Sequence, residues 1–495
     1  MTTTTASFAP VSLSYMAALR GIKPRHPGEA FTYAAVNCRS AELLIGLAAS
    51  NPEGQFYGLI GDTEACANAV KKAAERQTGN VAFLNVKTAN LVSGAASLPQ
   101  LDYLVCDESQ QVLTNIERAA LFDLAAAKVK ASGLFNYNYR AYADETSALR
   151  FLVREFSPEM SVEQASDFLI EIKKLGHLYM QSHPDVAAKL DQAIAKNVPD
   201  DFFINFDDGE ARSATFDTVV AMRTRGLAYA GAGHVEANYV ELSIPAEAQD
   251  IVIQCRDNPL CESIKDFASQ KAFRSDIWVK QPATTSAAPA ELFGSFAYGI
   301  TLPKDKVPSS VEVFGKTVDL SSTVYSKLVE LMTIQPVTVG DCLQHPDSKD
   351  LSPTDIVGAI QILVALGIAR PMRGAHEAGN ISSMAQPRFS GSFNRYIDRV
   401  SVANETFAMA SRVMGDVIDV SPRDVLVMQA LNRGGLANSA SALLSELQKL
   451  AKDPAVSARV SDLAEPTPES AHQMINDVVN QSFVQWYAYG LLEAA

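Results

Sequence analysis

Glycine is absent from the loop Asn37-Cys38-Arg39-Ser40-Ala41, which joins an apolar run read as a buried strand to one read as a helix. A loop there that holds a phosphate or a nucleotide needs positive φ and close backbone approach, which a Cβ obstructs. Long apolar runs are absent too. The longest, 356–369, contains Gln361 and falls short of the roughly 20 residues that span a bilayer, so membrane insertion is not expected. The six cysteines (Cys38, Cys66, Cys106, Cys255, Cys261 and Cys342) form no CxxC pair, which argues against a zinc site or disulfide framework and for idle thiols in a reducing cytoplasm. Positive charge is in deficit, 42 Lys and Arg against 56 Asp and Glu for a net −14, so nucleic acid and acidic lipid are poor partners. The short basic stretch Arg20, Lys23, Arg25, His26 reads as solvated surface. No Ser-His-Asp constellation, Walker loop or HExxH is present. The first residues, MTTTTASFAPVSL, lack the basic lead and apolar core of a secretory signal, and a cytoplasmic chain is expected.

What is present is an ordinary globular composition, 47% hydrophobic and 20% charged, over 495 residues, enough for about three domains. Strand and helix alternate from about 30 to 142. Phe31–Val36, Phe56–Gly61, Val81–Val86, Leu101–Cys106 and Leu134–Tyr139 read as strands. Glu42–Ala49 reads as a helix, as does a segment after Asp62 with Ala67, Val70, Ala73 and Ala74 inward, and Ile116–Ala131, which Gly133 is expected to end. Such alternation implies an α/β fold, a parallel sheet with helices on both faces. Its ligand crevice lies beyond the carboxyl ends of the strands, around Asn37–Ala41, Asp62 and Asp107–Gln111.

From 145 to 198 the pattern turns helical, with Phe168, Leu169, Ile172, Leu175 and Leu178 on one face. Phe216–Arg225 reads as a helix ended by Gly226, followed by a strand Leu227–Ala230. Gln281–Pro289 is the best linker, and Gly374–Gly391 reads as a second loop. The helix Tyr325–Thr333, the segment Val337–Leu343 and the unit Ile356–Leu366, Gly367, Ile368–Arg370 form a winged-helix-like layout, for which the acidic chain favours a protein-packing role.

Several words of this sequence resemble one family. Tyr15–Pro24 is similar to its aromatic lead segment, Leu101–Val105 to its fourth strand, and Gly133–Tyr139 to the strand carrying its Tyr-Asn pair, here Tyr137-Asn138. Arg225–Gly231, Phe393–Arg395 and Met409–Gly415 resemble later words, and Ile264–Arg274 is the most specific of all. On these residues the chain resembles, over roughly 15–450, the bacterial class I S-adenosylmethionine-dependent methyltransferases that carry a methyltransferase regulatory domain. The resemblance implies a Rossmann-like methyltransferase-type domain at 1–145, a helical regulatory domain at 146–280, and an α+β, winged-helix-like C-terminal domain at 290–495.

The departures concentrate at the cofactor. The family's E-x-G-x-G-x-G falls on Ala35–Ala41, with Asn37, Arg39 and Ala41 at the glycine positions. The acidic residue ending the second strand falls on Ile60 or Gly61, with Asp62 displaced. The candidate cofactor-binding residues are therefore Asn37, Arg39, Asp62, Asp107, Tyr137 and Asn138, with Glu108 beside them; no catalytic residue and no metal ligand is assigned. Asn37 tolerates left-handed backbone, which would let the loop keep its shape. Carboxylates such as Asp62 and Asp107 also commonly cap helices. His234, on a polar Gly-rich loop, reads as solvent-facing, and Trp278 and Trp486 as core anchors. Two functions follow: a pseudoenzyme, a non-catalytic scaffold or regulatory subunit paired with itself or with an active paralogue, holding S-adenosylmethionine or no cofactor; or a divergent active methyltransferase acting on a protein side chain or a small molecule.

Overall fold

The computed structural model describes residues 8–26, 28–37, 41–108, 113–140, 215–254, 261–269, 273–282, 287–302, 304–314, 316–346, 351–374, 387–399, 407–434, 440–450 and 482–494, with isolated positions between 170 and 191 and at 452. Residue 39, and most of the helical run at 145–198, lie outside them.

Seven strands form one sheet: β1 (Phe31–Val36), β2 (Gly54–Ile60), β3 (Val81–Asn85), β4 (Leu101–Asp107), β5 (Val129–Arg140), β6 (Leu227–Ala232) and β7 (Phe273–Lys280), in the order β3-β2-β1-β4-β5-β7-β6. The first five are mutually parallel and β7 runs antiparallel between β5 and β6. This is the Rossmann-like sheet of the class I methyltransferase fold. Strand alternation divides the side chains between two cores. Tyr33, Ala35, Tyr103, Val105, Leu134 and Ile277 point to one, where α1 (Pro10–Ala18) is buried along all nine residues. Ala34, Val36, Leu104, Cys106, Phe135, Tyr137 and Trp278 point to the other, under α4 (Leu91–Gly94), α5 (Asn115–Lys128) and α6 (Thr215–Arg223).

Helix α2 (Ala41–Ser50) connects β1 to β2 and reads Ala-Glu-Leu-Leu-Ile-Gly-Leu-Ala-Ala-Ser, apolar nearly all round. Such a helix needs cover on every side. The sheet covers one side through Leu43, Leu44 and Leu47, and Phe393 and Ala410 from the C-terminal region cover Ile45 on another. The strands β14 (Phe407–Ser411) and β15 (Asp416–Val420) form an antiparallel hairpin against it. Asn51 Nδ2 donates to Gly415 O at 3.0 Å and Ser50 Oγ to Asp416 O at 2.8 Å. Near the other end, Arg76 pairs with Glu42 while its guanidinium stacks 3.8 Å over the Tyr396 ring.

Before that hairpin, β8 (Ala297–Ile300) pairs antiparallel with both β11 (Val337–Thr338) and β12 (Ala369–Met372), beside the small hairpin β9 (Ser310–Val313) and β10 (Lys316–Asp319). Helices Thr323–Ile334, Val339–Gln344 and Pro353–Ala365 accompany this small sheet, and Gly367 takes φ +70 between the last helix and β12. A further core gathers Phe389, Met409, Leu426, Trp486 and Leu492.

Three sequence expectations are corrected. Helix α3 (Thr63–Glu75) buries Cys66, Ala69 and Ala73; Val70 is 51% exposed and Ala67 and Ala74 also face out, because the close seat on the sheet edge selects small residues over the larger valine. Helix α5 stops at Lys128, since β-branched Val129 is already extended; Gly133 lies inside β5, and the left-handed residue is Ser132 at φ 61, beside the irregular register between Leu101 and Tyr103. Within the expected loop 374–391, Pro387–Phe389 forms β13, paired with β16 (Leu492–Ala494) from the far end of the chain.

Candidate functional site

The carboxyl edge of the sheet assembles the residues in question. Val36 pairs with Cys106 and Asp107 with Asn138, so Asn37, Asp107 and Asn138 follow one another across β1, β4 and β5. Asn37 takes φ +50, the left-handed conformation that a glycine would supply. Its Nδ2 is buried without a hydrogen-bond partner, and so is Asn138 Oδ1. Buried polar groups are normally satisfied, so two such atoms at the ends of β1 and β5 are unusual. Asp107 is buried, 1% exposed.

Asp62 stands outside this arrangement. It is the N-cap of α3, and its Oδ1 accepts from Ala65 N at 2.7 Å. Ile60 and Gly61 precede it, so the carboxylate nearest the end of β2 is this cap.

Tyr137 points to the opposite face from Asn138 and belongs to a closed polar group. Its hydroxyl donates to Glu108 and accepts from Arg118 Nε at 2.9 Å. Arg118 Nη2 lies 3.2 Å from Glu108 and also reaches Leu113 O at 3.1 Å; Nη1 reaches Asn115 Oδ1 at 3.0 Å. Burial raises the Glu108 carboxyl against the opposing pull of Arg118, and burial with the Glu108 charge pushes the Tyr137 phenol well up. The phenol stays neutral and donates. Arg118 is a partner the sequence reading missed; the Thr114–Glu117 capping box that opens α5 fixes its position in the first turns of the helix.

A second cluster, also unforeseen, lies further along the same edge. Arg274, 8% exposed, reaches Asp276 at 2.7 Å, Asp266 at 2.6 Å and Glu262 at 2.8 Å. Tyr139 Oη donates to Asp276 at 2.7 Å and Thr215 Oγ1 to Asp266 at 2.7 Å; Lys265 Nζ adds a bond to Glu262 at 2.7 Å. Burial opposes the Glu262 charge, but Arg274 and Lys265 outweigh it and hold that carboxyl down to about 2; burial raises Asp266 instead. Asp266 and Arg274 both fall within the most specific sequence word, the one signal that pointed here. The exposed His234 lines the shallow cleft beside the cluster.

Trp278 and Trp486 are core residues, 0% and 3% exposed. In the basic stretch, Arg25 is tied to Asp102 at 2.8 Å. Among the described residues no group of acidic, Cys and His side chains has metal-ligand geometry, no helix is long and apolar enough to cross a membrane, and Cys66, Cys106, Cys261 and Cys342 are buried thiols outside any disulfide.

Residues 208–280 match the family described as "Predicted methyltransferase regulatory domain", the stretch that supplies α6, β6, β7 and the Arg274 cluster. An uncharacterised protein of Synechocystis sp. is 21% identical over 440 residues, 86% of this chain and 85% of that one. The structure of PKMT2 from Rickettsia typhi in complex with AdoHcy superposes over 99% of this chain and 98% of its own, with 15% identity and a TM-score of 0.70. A second structure of PKMT2 gives 0.67 over 98% of each chain.

Proposed function

We propose that the chain is a non-catalytic member of the class I methyltransferases that carry a regulatory domain, a scaffold or regulatory subunit that works through a protein partner. The loop carries this reading: Asn37, Arg39 and Ala41 put Cβ atoms at the three glycine positions. Two further features support it. The carboxylate nearest the end of β2 belongs to Asp62, and one of its oxygens is committed to capping α3. Glu108, Arg118 and Tyr137, polar groups at the ends of β4 and β5 and the start of α5, are engaged with one another. The residues present do not match what S-adenosylmethionine needs, and no methyl-transfer step is assigned to them. The partner is a second copy or an active methyltransferase of the same shape.

A second reading, a divergent enzyme methylating a protein side chain or a small molecule, draws on one observation: the unpartnered Asn37 Nδ2 and Asn138 Oδ1. Methyl transfer asks mainly for positioning, so a crevice with two free polar atoms keeps this reading alive. The AdoHcy held by PKMT2 of Rickettsia typhi is in line with it.

Calorimetric titration of the full chain with S-adenosylmethionine and S-adenosylhomocysteine separates the two. The first reading expects no heat and no thermal stabilisation at millimolar ligand. Micromolar binding that Asn138→Leu removes would overturn it in favour of the second.

A further inference from the structure

We propose that the cavity between α2 and the C-terminal strands is a binding site for a small organic anion with an apolar body. The cavity measures about 480 Å³, within the range of small-molecule pockets, about 300–1,000 Å³. It lies at the amino end of the sheet, away from Asn37 and Asp107: Ala48, Ala49 and Pro52 follow α2 to its end, and Gly79 and Asn80 lead into β3. Its opposite wall comes from residues 390–393, from Ala410, Arg412 and Val413, and from Gly490, Leu492 and Glu493.

Small residues keep the space open. A Cβ added at Gly79 or Gly391 would meet nothing within 4 Å, and Gly391, at φ +63, resists a larger replacement. Phe393 and Leu492 supply larger apolar surface.

The polar groups are unequally occupied. Asn80 Nδ2 is engaged with the carbonyls of Ala48, Asn51 and Gly54, and Ser390 and Ser392 donate to Gly490 O and Gln77 O. Glu493 is held by Arg388 at 2.9 Å and Arg395 at 2.7 Å. Two groups remain. Arg412 is exposed and has no ion pair among the described residues, and Thr78 Oγ1 is buried without a hydrogen-bond partner. An uncompensated guanidinium in a chain of net −14, beside an unengaged hydroxyl and an apolar wall, fits a carboxylate or sulfonate head on a hydrocarbon body.

The test is a fluorescence titration of the full chain with anilinonaphthalene sulfonate and with its uncharged counterpart, phenylnaphthylamine. The proposal expects saturable single-site binding of the sulfonate. Arg412→Gln weakens the sulfonate at least tenfold and leaves the neutral dye unchanged, whereas Ala49→Phe, which fills the cavity, removes both while the melting temperature and circular dichroism hold. If Ala49→Phe does not fold, Ser392→Trp at the rim takes its place. No saturable binding, or titrations that neither Arg412→Gln nor the filling variant alters, would overturn the proposal. Excess S-adenosylmethionine should not displace the dye; displacement would move the site to the other edge of the sheet and end the proposal as well.

Discussion

The two halves of one sheet edge have opposite characters. At β1, β4 and β5 the crevice is chemically thin: a loop without glycine, a carboxylate turned into a helix cap, and two amide atoms without partners. At β5, β7 and β6 the edge is crowded, with Arg274 at the centre of three carboxylates and three further donors, Tyr139, Thr215 and Lys265. Glu262, Asp266, Arg274 and Asp276 of the rich half lie inside the stretch that matches the regulatory-domain family, whereas the thin half lies outside it.

The sharpest way to break this contrast is Arg274→Met. It strands Glu262, Asp266 and Asp276 in a buried setting and should cost about 3–5 kcal/mol in urea unfolding; Asn37→Ala, on the thin half, should cost about 1 kcal/mol, from the left-handed backbone that alanine tolerates less well. A loss for Arg274→Met no larger than that for Asn37→Ala would erase the distinction.

Tyr137→Phe tests the closed polar group between the halves. It removes the hydrogen bond to Glu108 and the acceptor of Arg118 Nε, for an expected loss of about 1–3 kcal/mol. Gly46→Ala probes the grip on α2. An exposed helical site would gain up to about 1 kcal/mol from this change. Here the new Cβ would lie 2.6 Å from Val417 Cγ2 and 3.2 Å from Phe393, so the sign reverses and about 1–3 kcal/mol is lost.

The pH dependence separates two buried carboxylates. Glu262 falls from the ordinary 4.5 to about 2 in the folded chain, so its contribution is complete above pH 4.5 and disappears as pH falls toward 2. Asp416 runs the other way. Burial lifts it from 3.8 to about 6, the folded chain binds its proton first, and its effect on stability improves as pH falls from 6 toward 4. Asp416→Asn should flatten the pH 4–6 limb of a chemical-denaturation series and leave the limb below 4.5 in place; an unchanged upper limb would dismiss this assignment. The smallest effect is Asp62→Ala. Loss of a helix cap costs about 1 kcal/mol, with the cofactor titration unaltered; a titration that did change would return Asp62 to the crevice.

Local order made the first five strands and the ends at Gly226 and Gly367 legible, because hydrophobic period and positive-φ glycine are local signals. The left-handed Asn37 was legible for the same reason. The α3 face was not: hydropathy alone favours Val70 inward, whereas the close seat on the sheet takes Cys66, Ala69 and Ala73. Gly133 misled because a glycine after a helix resembles a terminator, although β-branched Val129 had already ended it. The Arg274 cluster draws on residues from Tyr139 to Asp276, and no single-chain pattern brings Thr215 and Tyr139 to one guanidinium. Arg118 and Glu108 are ten residues apart, yet nothing in their spacing announces that Tyr137 closes the group.

Helix α2, apolar nearly all round and held by residues more than 300 positions away in sequence, has a practical consequence for anyone dividing this protein. A fragment cut after β7 would carry the complete seven-stranded sheet and still leave Ile45 and Gly46 without the Phe393 and Val417 side chains packed on them. Such a fragment should express as an aggregating or partly melted species, and limited proteolysis of the intact chain should release no stable sheet domain. The natural unit for crystallisation, partner screening or grafting is the full length.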